Sequence, residues 1–439
     1  MRESADVVII GAGMAGLAAA RVLDRAPAAA SRRVLLLEAA ASVGGRVATD
    51  NIDGFLLDRG FQVYLTAYPT GKELLDYEAL DLKPFAPGAL IFMDGKLRKF
   101  VDPLRQPLAA PAMVFSPVCS LLDKFRLLKL RRLVTSVPPE QLLTQDPVES
   151  IDFLRRFGFS DDCIAHFFRP FYSGVFLEKD LTTTSRFLKY TFAMFARGQA
   201  ALPAAGMAAI PRQLAARLHH VKLELSTPVI GVTEHGATEE GKTEQVVHTA
   251  SGRSIHARAV IVATEMPAAQ RLIEGPLSMR ILPAPRTTTC LYFTTPTAPT
   301  ELPLLVLNGQ PATGPINHLA VLTNVVPSYA PAKGRSRPHL ISATAFAHET
   351  DDEKLLRQAK DQLTTWFGQQ AQMWTHLHTT RIPYALPNTD TRLAPNWPVD
   401  PRVRPGLYMA GDSCDLPSIQ GALASGKRAA EAVVADALT

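Results

Sequence analysis

Two segments at opposite ends of this 439-residue chain constrain its fold more than anything between them. The front end reads Asp6-Val7-Val8-Ile9-Ile10, then Gly11-Ala12-Gly13-Met14-Ala15-Gly16, and, after a helical stretch, Val34-Leu35-Leu36-Leu37-Glu38. The back end reads Gly406-Leu407-Tyr408-Met409-Ala410-Gly411-Asp412, followed by Gln420-Gly421-Ala422. Val7 to Ile10 is short, apolar and β-branched, as a strand buried on both faces of a parallel sheet must be. Gly11 makes the tight turn, Gly13 leaves room for a pyrophosphate at the backbone, and Gly16 lets the next helix pack hard on the strand. That helix is expected from about Met14 to Ala26, stopping before Pro27, with its unpaired N–H groups and positive dipole end turned to the phosphates. Glu38 follows a second buried strand, 22 residues after Gly16, where it can accept from both ribose hydroxyls and repel a 2′-phosphate. Strand, glycine turn, helix, strand and acid together predict a dinucleotide site.

Gly44-Gly45-Arg46 shifts the expected dinucleotide from NAD to FAD. Paired glycines allow positive φ and close backbone approach. The neighbouring arginine can neutralise the pyrophosphate or fix the loop around it. With these residues the chain resembles the flavin-containing amine oxidase superfamily, which includes protoporphyrinogen oxidases and phytoene-desaturase-like enzymes. Gly54-Phe55-Leu56-Leu57-Asp58-Arg59-Gly60-Phe61-Gln62 fits the stretch that passes beside the isoalloxazine ring in that family. Gly411-Asp412 resembles the motif whose acid binds the ribityl chain or a phosphate. Gln420-Gly421-Ala422-x-x-Ser425-Gly426 resembles the start of a last helix whose N-terminus faces the flavin pyrimidine and stabilises negative charge there. Val229 and Ala263 match the adenine-contacting and domain-closing positions of the middle element. The resemblance thus implies non-covalent FAD held by Gly11, Gly13, Met14, Ala15, Gly16, Glu38, Ala39, Gly44, Gly45, Arg46, Gly60, Phe61, Gln62, Val229, Ala263, Gly411, Asp412, Gln420, Gly421 and Ala422. It covers about 1–65, 200–265 and 400–439, and it is specific for the cofactor rather than the substrate.

The fold class expected is α/β: a discontinuous Rossmann-type FAD-binding domain with an inserted substrate domain of mixed sheet plus helices. The cofactor part is expected from 1–75, 200–275 and 385–439, and the substrate part from 76–199 and 276–384. Within the first insertion, Leu121 to Val134, Pro147 to Phe157, Asp161 to Phe168 and Arg186 to Ala196 read as helices, and Ser120-x-x-Asp123 as a capping-box-like start. The second insertion reads as strands at Thr287 to Phe293, His318 to Val326 and Leu340 to Phe346. A helix from Asp351 to Phe367, ended by Gly368, follows. Pro-rich stretches at Pro296 to Pro303 and Pro327 to Pro338, the latter with Lys333-Gly334-Arg335, read as surface connections.

The length suits two domains. The net charge of +5 permits attraction to anionic surfaces and demands no nucleic acid. No zinc-type ligand spacing occurs, so no metal site is expected, and no GxSxG element points to a hydrolase. Cys119, Cys163, Cys290 and Cys414 form no CxxC and read as isolated reduced thiols in a cytoplasmic protein. The first strand begins by Asp6, which leaves no room for a leader within this sequence. No apolar run of roughly 18 residues or more is present to span a bilayer. Peripheral membrane contact through the basic, apolar stretch Lys124 to Leu133 stands beside an ordinary partly buried helix, because Arg132 falls on the face of Leu121, Phe125 and Leu128.

A flavin accepts two electrons, usually as hydride from a C–H bond. Amine oxidases of the family carry a lysine on a substrate-domain strand; Thr287 to Phe293 has none. Tyr384 could form half of an aromatic cage for an amine. Ile382-Pro383-Tyr384 fits porphyrinogen oxidases and desaturases equally. The expected substrate is therefore largely apolar (isoprenoid, polycyclic or porphyrinogen-like), with dioxygen, a quinone or another carrier as acceptor. An amine or amino-acid oxidase producing peroxide and a non-catalytic flavin-binding protein are the alternatives. Phe167-Phe168-Arg169-Pro170-Phe171-Tyr172-Ser173-Gly174-Val175-Phe176 could line an apolar cavity or pack a core. Gln62, Tyr64, Tyr172 and Tyr384 are candidate pocket residues, His318 reads as structural, and no residue is assigned a proton-transfer role. Oligomeric state is left open.

Overall fold

The computed structural model describes residues 3–27, 29–237, 243–273, 284–310, 313–332, 337–346, 351–391 and 397–438. A parallel sheet runs in the order Val221–Glu224, Val34–Leu37, Glu3–Ile10, Ser254–Val262 and Leu407–Met409. Both chain ends and the middle segment therefore meet in one sheet, as the spaced motifs require. Alternate side chains serve opposite faces: Val7, Ile9, Val34 and Leu36 join the main core, and Val8, Ile10, Leu35 and Leu37 join a second one. The early half of Ser254–Val262 also pairs antiparallel with Thr243–Thr249, which pairs with Val229–Ala237. The helix Met14–Arg25 follows the first glycine turn and packs on the last helix, Ile419–Ala437. Their backbones approach so closely that a Cβ at Gly426 would lie 2.0 Å from the Ala15 carbonyl oxygen.

A second, seven-stranded sheet has the order Thr375–Leu386, Arg286–Thr295, His339–Ala345, Ile316–Val321, Leu305–Asn308, Gly88–Met93 and Lys96–Val101. Its last two strands correct the expectation that the first insertion is helical. Asp94 and Gly95, both at positive φ, turn a hairpin whose first strand pairs parallel with Leu305–Asn308. The expected helices form as Leu121–Thr135, Ser150–Phe157 and Ser185–Arg197, with Asp352–Phe367 in the second insertion. Asp161–Cys163 is a single α turn that continues as the π-helical Ile164–Phe168 and then as the helix Arg169–Phe176. The strand expected to run from His318 to Val326 ends at Val321, where Leu322–Val325 turns helical. The Lys333-Gly334-Arg335 connection lies outside the described residues.

Ser120 caps the Leu121–Thr135 helix by accepting from Asp123 N, and its hydroxyl donates to the Asp123 carboxylate at 2.6 Å. Ser160 Oγ donates to the same carboxylate at 2.7 Å, which ties this helix to the 161–163 turn. Burial alone would raise the Asp123 pKa, but these bonds, with Ser160 N and Arg126, hold it down at about 2. Beside this junction Cys119 and Cys163 form a disulfide, with Cα atoms 4.7 Å apart. The expectation of four isolated thiols is thus corrected. The two cysteines stand 44 residues apart and only the packing of the two helix starts brings them together. With the pair bonded, cysteine usage no longer argues for a reducing compartment.

Candidate functional site

A cavity of about 1530 Å³ runs between the parallel sheet and the seven-stranded sheet. This exceeds the ~300–1,000 Å³ of an ordinary small-molecule site, as expected of a space that takes a cofactor and a substrate together. One part is walled mainly by backbone from the two chain ends and the middle segment. Gly11, Gly13, Met14, Ala15, Glu38, Ala39, Gly44, Gly45, Arg46, Val229, Ala263, Gly411, Asp412 and Ala422 all line it, and Gly60, Phe61 and Gln62 continue the wall.

The glycines here divide by task. A Cβ at Gly13 would meet nothing within 4 Å, so the main chain opens directly to the cavity. A Cβ at Gly16 would lie 1.8 Å from the Gly11 carbonyl oxygen, so Gly16 serves helix-on-strand packing and does not line the cavity. The Met14–Arg25 helix has no side-chain cap at Gly13, which leaves its first N–H groups for an anion. Glu38 accepts from Ala12 N at 2.7 Å and Ala40 N at 2.8 Å, which aims its carboxylate along the cavity wall. These features fit an elongated dinucleotide: an open glycine turn, an uncapped helix start and an oriented acid in one continuous space.

Arg46 joins the two chain ends. Its guanidinium donates to both Asp412 carboxylate oxygens at 2.8 and 2.7 Å and to the Ala385 carbonyl at 3.0 Å, and it lies 5.2 Å from the Tyr384 ring centroid. Burial opposes the Arg46 charge, but the facing Asp412 carboxylate raises its pKa overall. Burial pushes the Tyr384 phenol up to about 12, so it stays protonated near neutrality. Gln62 donates from its amide nitrogen to the Arg46 carbonyl at 2.9 Å, and its Oε1 is buried without a partner beside the cavity.

Besides Gly16, four of the residues singled out from the sequence lie elsewhere. Tyr64 is fully buried and shares a 2.9 Å hydrogen bond with the Tyr77 hydroxyl; Tyr172 is fully buried and donates to the Leu188 carbonyl at 3.2 Å. Neither lines the cavity, and both are core tyrosines. Gln420 is turned away from it and clamps Thr70, accepting from its N at 3.1 Å and donating to its hydroxyl at 2.8 Å. A Cβ at Gly421 would lie 1.9 Å from the Leu416 carbonyl oxygen, so that glycine serves packing. The start of the last helix still borders the cavity through Ser418, Ile419 and Ala422. Cys414 is buried, its thiol pushed up to about 11 by burial, and it does not line the cavity.

The other part of the cavity is walled by side chains. Phe61, Phe85, Phe100, Met113, Phe187, Phe192, Phe195 and Leu305 contribute, with His318 and Thr344 from the sheet. The aromatic run divides by helical face. Phe167, Phe171 and Val175 line the cavity, while Phe168, Tyr172 and Phe176 are 0–2% exposed in the core. Lys124, at the outer end, is the one lysine lining the cavity among the described residues. The strand Arg286–Thr295 offers none. Among the described residues no cluster of three or more His, Cys, Asp or Glu side chains is arranged to hold a metal.

Asp58, at the end of the two-stranded hairpin Thr49–Ile52 and Phe55–Asp58, links that hairpin to the seven-stranded sheet and to the segments around Met207 and Tyr329. Its carboxyl accepts from Met207 N at 2.9 Å and the Tyr329 hydroxyl at 2.8 Å, while its carbonyl accepts from the Tyr292 hydroxyl at 2.6 Å. Burial pushes its pKa up to about 6. It was not among the candidate residues read from the sequence; its position two residues before the cavity-lining Gly60 was the available signal.

The family model of flavin-containing amine oxidoreductases matches residues 14–434. Solved structures share the architecture over nearly the whole chain. A protein assigned as a protoporphyrinogen oxidase from Exiguobacterium sp. 255-15 is 20% identical, with a TM-score of 0.71 and 99% of each chain covered. Cyclohexylamine oxidase from Brevibacterium oxydans IH-35A is 17% identical, with a TM-score of 0.70, covering 99% of this chain and 100% of its own. Putrescine oxidase bound to putrescine is 16% identical, with a TM-score of 0.68 and coverage of 99% and 100%. At these identities the likeness speaks for the fold. No functionally curated protein matches the chain significantly.

Proposed function

This chain belongs to the family of flavin-containing amine oxidoreductases, and we propose that within it the chain oxidises a C–H bond of a largely apolar substrate, isoprenoid, polycyclic or porphyrinogen-like. It is an FAD-dependent oxidoreductase acting on a small molecule and passing electrons to an acceptor. When bound, FAD supplies the two-electron acceptor for hydride leaving the substrate carbon. The chain's residues bind and orient. The open backbone at Gly13 and the helix start at Met14 and Ala15 would hold the pyrophosphate with Gly44 and Gly45, and Glu38 the ribose. Arg46 and Asp412 would lock the two ends around the cofactor without a covalent link. Gly60, Phe61 and Gln62 would border the isoalloxazine ring, and the last helix would place its positive end against the pyrimidine. The phenylalanine walls exclude water and hold the substrate where its C–H bond can react. The substrate-binding part would comprise 76–199 and 276–384.

The observation that carries this reading is the character of the side-chain-walled half, which is mainly aromatic and aliphatic and carries no lysine near the sheet. Anaerobic mixing of the holo-protein with panels of amines, isoprenoids and tetrapyrrole precursors tests it. Bleaching of the flavin by apolar compounds and not by amines is expected. Amine-dependent bleaching with peroxide formation in air would replace it with the amine or amino-acid oxidase reading. Dioxygen and a quinone, supplied separately to the reduced protein, distinguish the acceptors.

An anionic membrane surface is the proposed source of such a substrate. Nine of the thirteen exposed large apolar side chains among the described residues fall between Leu104 and Leu133, including Phe115 at 85% and Phe125 at 69% exposure. Val114, Leu121, Phe125 and Leu128 are both exposed and part of the cavity lining, so they mark an opening. The helix Leu121–Thr135 carries Lys129 and Arg132, whose charge suits anionic headgroups, whereas Arg131 is paired with Asp102. No helix of the described residues is long and apolar enough to cross a membrane. Co-sedimentation with phosphatidylglycerol vesicles, weakened by Phe115→Glu and by salt, is the expected result. Equal recovery in the supernatant with and without vesicles would remove this part.

A further inference from the structure

The seven-stranded sheet presents a polar row to a largely aromatic and aliphatic chamber. Thr380 is registered opposite Cys290, Cys290 opposite Thr344, and Thr344 opposite His318. Directly opposed residues in an antiparallel pair point to the same face, and Thr380, Thr344 and His318 all line the cavity. His318 is 3% exposed and Thr344 2% exposed. Yet His318 Nε2 and Thr344 Oγ1 are both buried without any hydrogen-bond partner. Buried polar atoms are nearly always paired, and an orphan at a cavity wall is a place where a ligand supplies the missing partner.

The tautomer follows from the neighbours. Asn317 Nδ2 lies 3.2 Å from the Pro170 carbonyl oxygen and 3.1 Å from His318 Nδ1. A carbonyl only accepts, so the amide nitrogen faces both atoms and His318 Nδ1 accepts. Burial lowers the imidazole pKa to about 3, so the ring is neutral and its single proton sits on Nε2. The ring is fixed in place. Its centroid lies 5.0 Å from that of Phe61, edge to face, and a Cβ at Gly174 would come within 3.0 Å of Nδ1. Residue 174 is thus small where the helix Arg169–Phe176 meets the imidazole.

We infer that His318 Nε2–H and the Thr344 hydroxyl form a recognition point for one uncharged oxygen acceptor, a carbonyl or hydroxyl, on the otherwise apolar substrate. The ring offers a proton and no lone pair to the chamber, so it favours an oxygen acceptor and disfavours an ammonium. The inference rests on the reading of this chamber as the substrate site and sharpens it: the substrate is an oxygen-bearing apolar molecule rather than a pure hydrocarbon or an amine. Both residues are specificity-determining; neither is given a proton to transfer.

The test uses holo-protein and two probes of nearly equal shape, 2-acetylnaphthalene and 2-ethylnaphthalene, titrated against the flavin absorbance spectrum. The wild type is expected to bind the ketone at least tenfold more tightly than the hydrocarbon. His318→Phe and Thr344→Val should each bring the ratio towards one, mainly by weakening the ketone. His318→Gln, which keeps an N–H donor, should restore much of it, an outcome that a merely structural histidine would not give. Equal binding of both probes by the wild type overturns the inference while leaving the apolar chamber intact, and so does a ratio unchanged in both variants. Binding of neither probe overturns the chamber reading and the inference with it.

Discussion

The two halves of the cavity are built in opposite ways. The half between the chain ends is made by main chain: an open glycine at 13, an uncapped helix start and strands in register, with few side chains committed beyond Glu38, Arg46 and Asp412. The half under the seven-stranded sheet is made by side chains, contributed by segments as far apart as Phe61, Phe171, Phe195 and Thr344. Backbone recognition needs a short, nearly invariant geometry, so a few contiguous residues announce it. Side-chain recognition is assembled by sheet register and helix phase, which no short segment contains.

The sharpest way to break this contrast is at the glycines. Gly16→Val should yield no folded flavoprotein, because its Cβ would already stand 1.8 Å from the Gly11 carbonyl oxygen. Gly13→Val meets no protein atom at its Cβ, so it should fold with the melting temperature of the flavin-stripped wild type and emerge without flavin. Full flavin content in purified Gly13→Val protein would end the idea that main chain recognises the cofactor there.

Next is the aromatic helix. Phe168→Ala empties a fully buried site and should cost ~3–5 kcal/mol in urea unfolding. Phe171→Ala faces the cavity and should cost far less stability while weakening apolar ligands. Equal losses from both would show that the two faces are not separate.

At the junction of the two ends, Asp412→Ala leaves the Arg46 guanidinium without its carboxylate. A loss of ~2–3 kcal/mol is expected, below the usual figure for breaking a buried pair, because the Arg46 side chain is 34% exposed. Flavin should dissociate more readily on dilution, and Arg46→Lys should not substitute, since lysine cannot form the two-pronged contact.

The smallest effect is in pH. Asp123 has a folded pKa held near 2, below its ordinary value of 3.8. Its contribution is complete above about pH 4 and fades as pH falls towards 2. It should amount to ~2 kcal/mol. Asp58 has the opposite sign. Its folded pKa of about 6 means its contribution is complete below about pH 4 and is lost as pH rises through 6. Thermal unfolding of Asp123→Asn should lose the acidic slope, and Asp58→Asn the slope between pH 4 and 6. A slope that survives its own substitution would assign it to other groups.

Legibility followed the same division. The front strand–turn–helix, Glu38, and the helices Leu121–Thr135 and Asp352–Phe367 were readable because their signals are local: glycine spacing, a Ser120 cap and a Gly368 stop. Asp94-Gly95 was an equally local hairpin signal that the helical reading of the first insertion passed over. Tyr64, Tyr172 and Gln420 resembled site residues by position along the chain, yet each is turned into the core, where its polar end meets Tyr77, Leu188 or Thr70. The Cys119–Cys163 bond joins residues that share no spacing motif.

By itself the sequence determined the parallel sheet and the open glycine turn that leads into the first helix, since strand burial, glycine geometry and helix starts are written within a few consecutive residues. Only the tertiary structure decided that Arg46 closes on Asp412, 366 residues away, and that Phe171 faces the chamber while Phe168 does not. It alone set His318 opposite Thr344. Those outcomes depend on which faces meet when distant elements pack, a choice made by the filling of the whole interior at once.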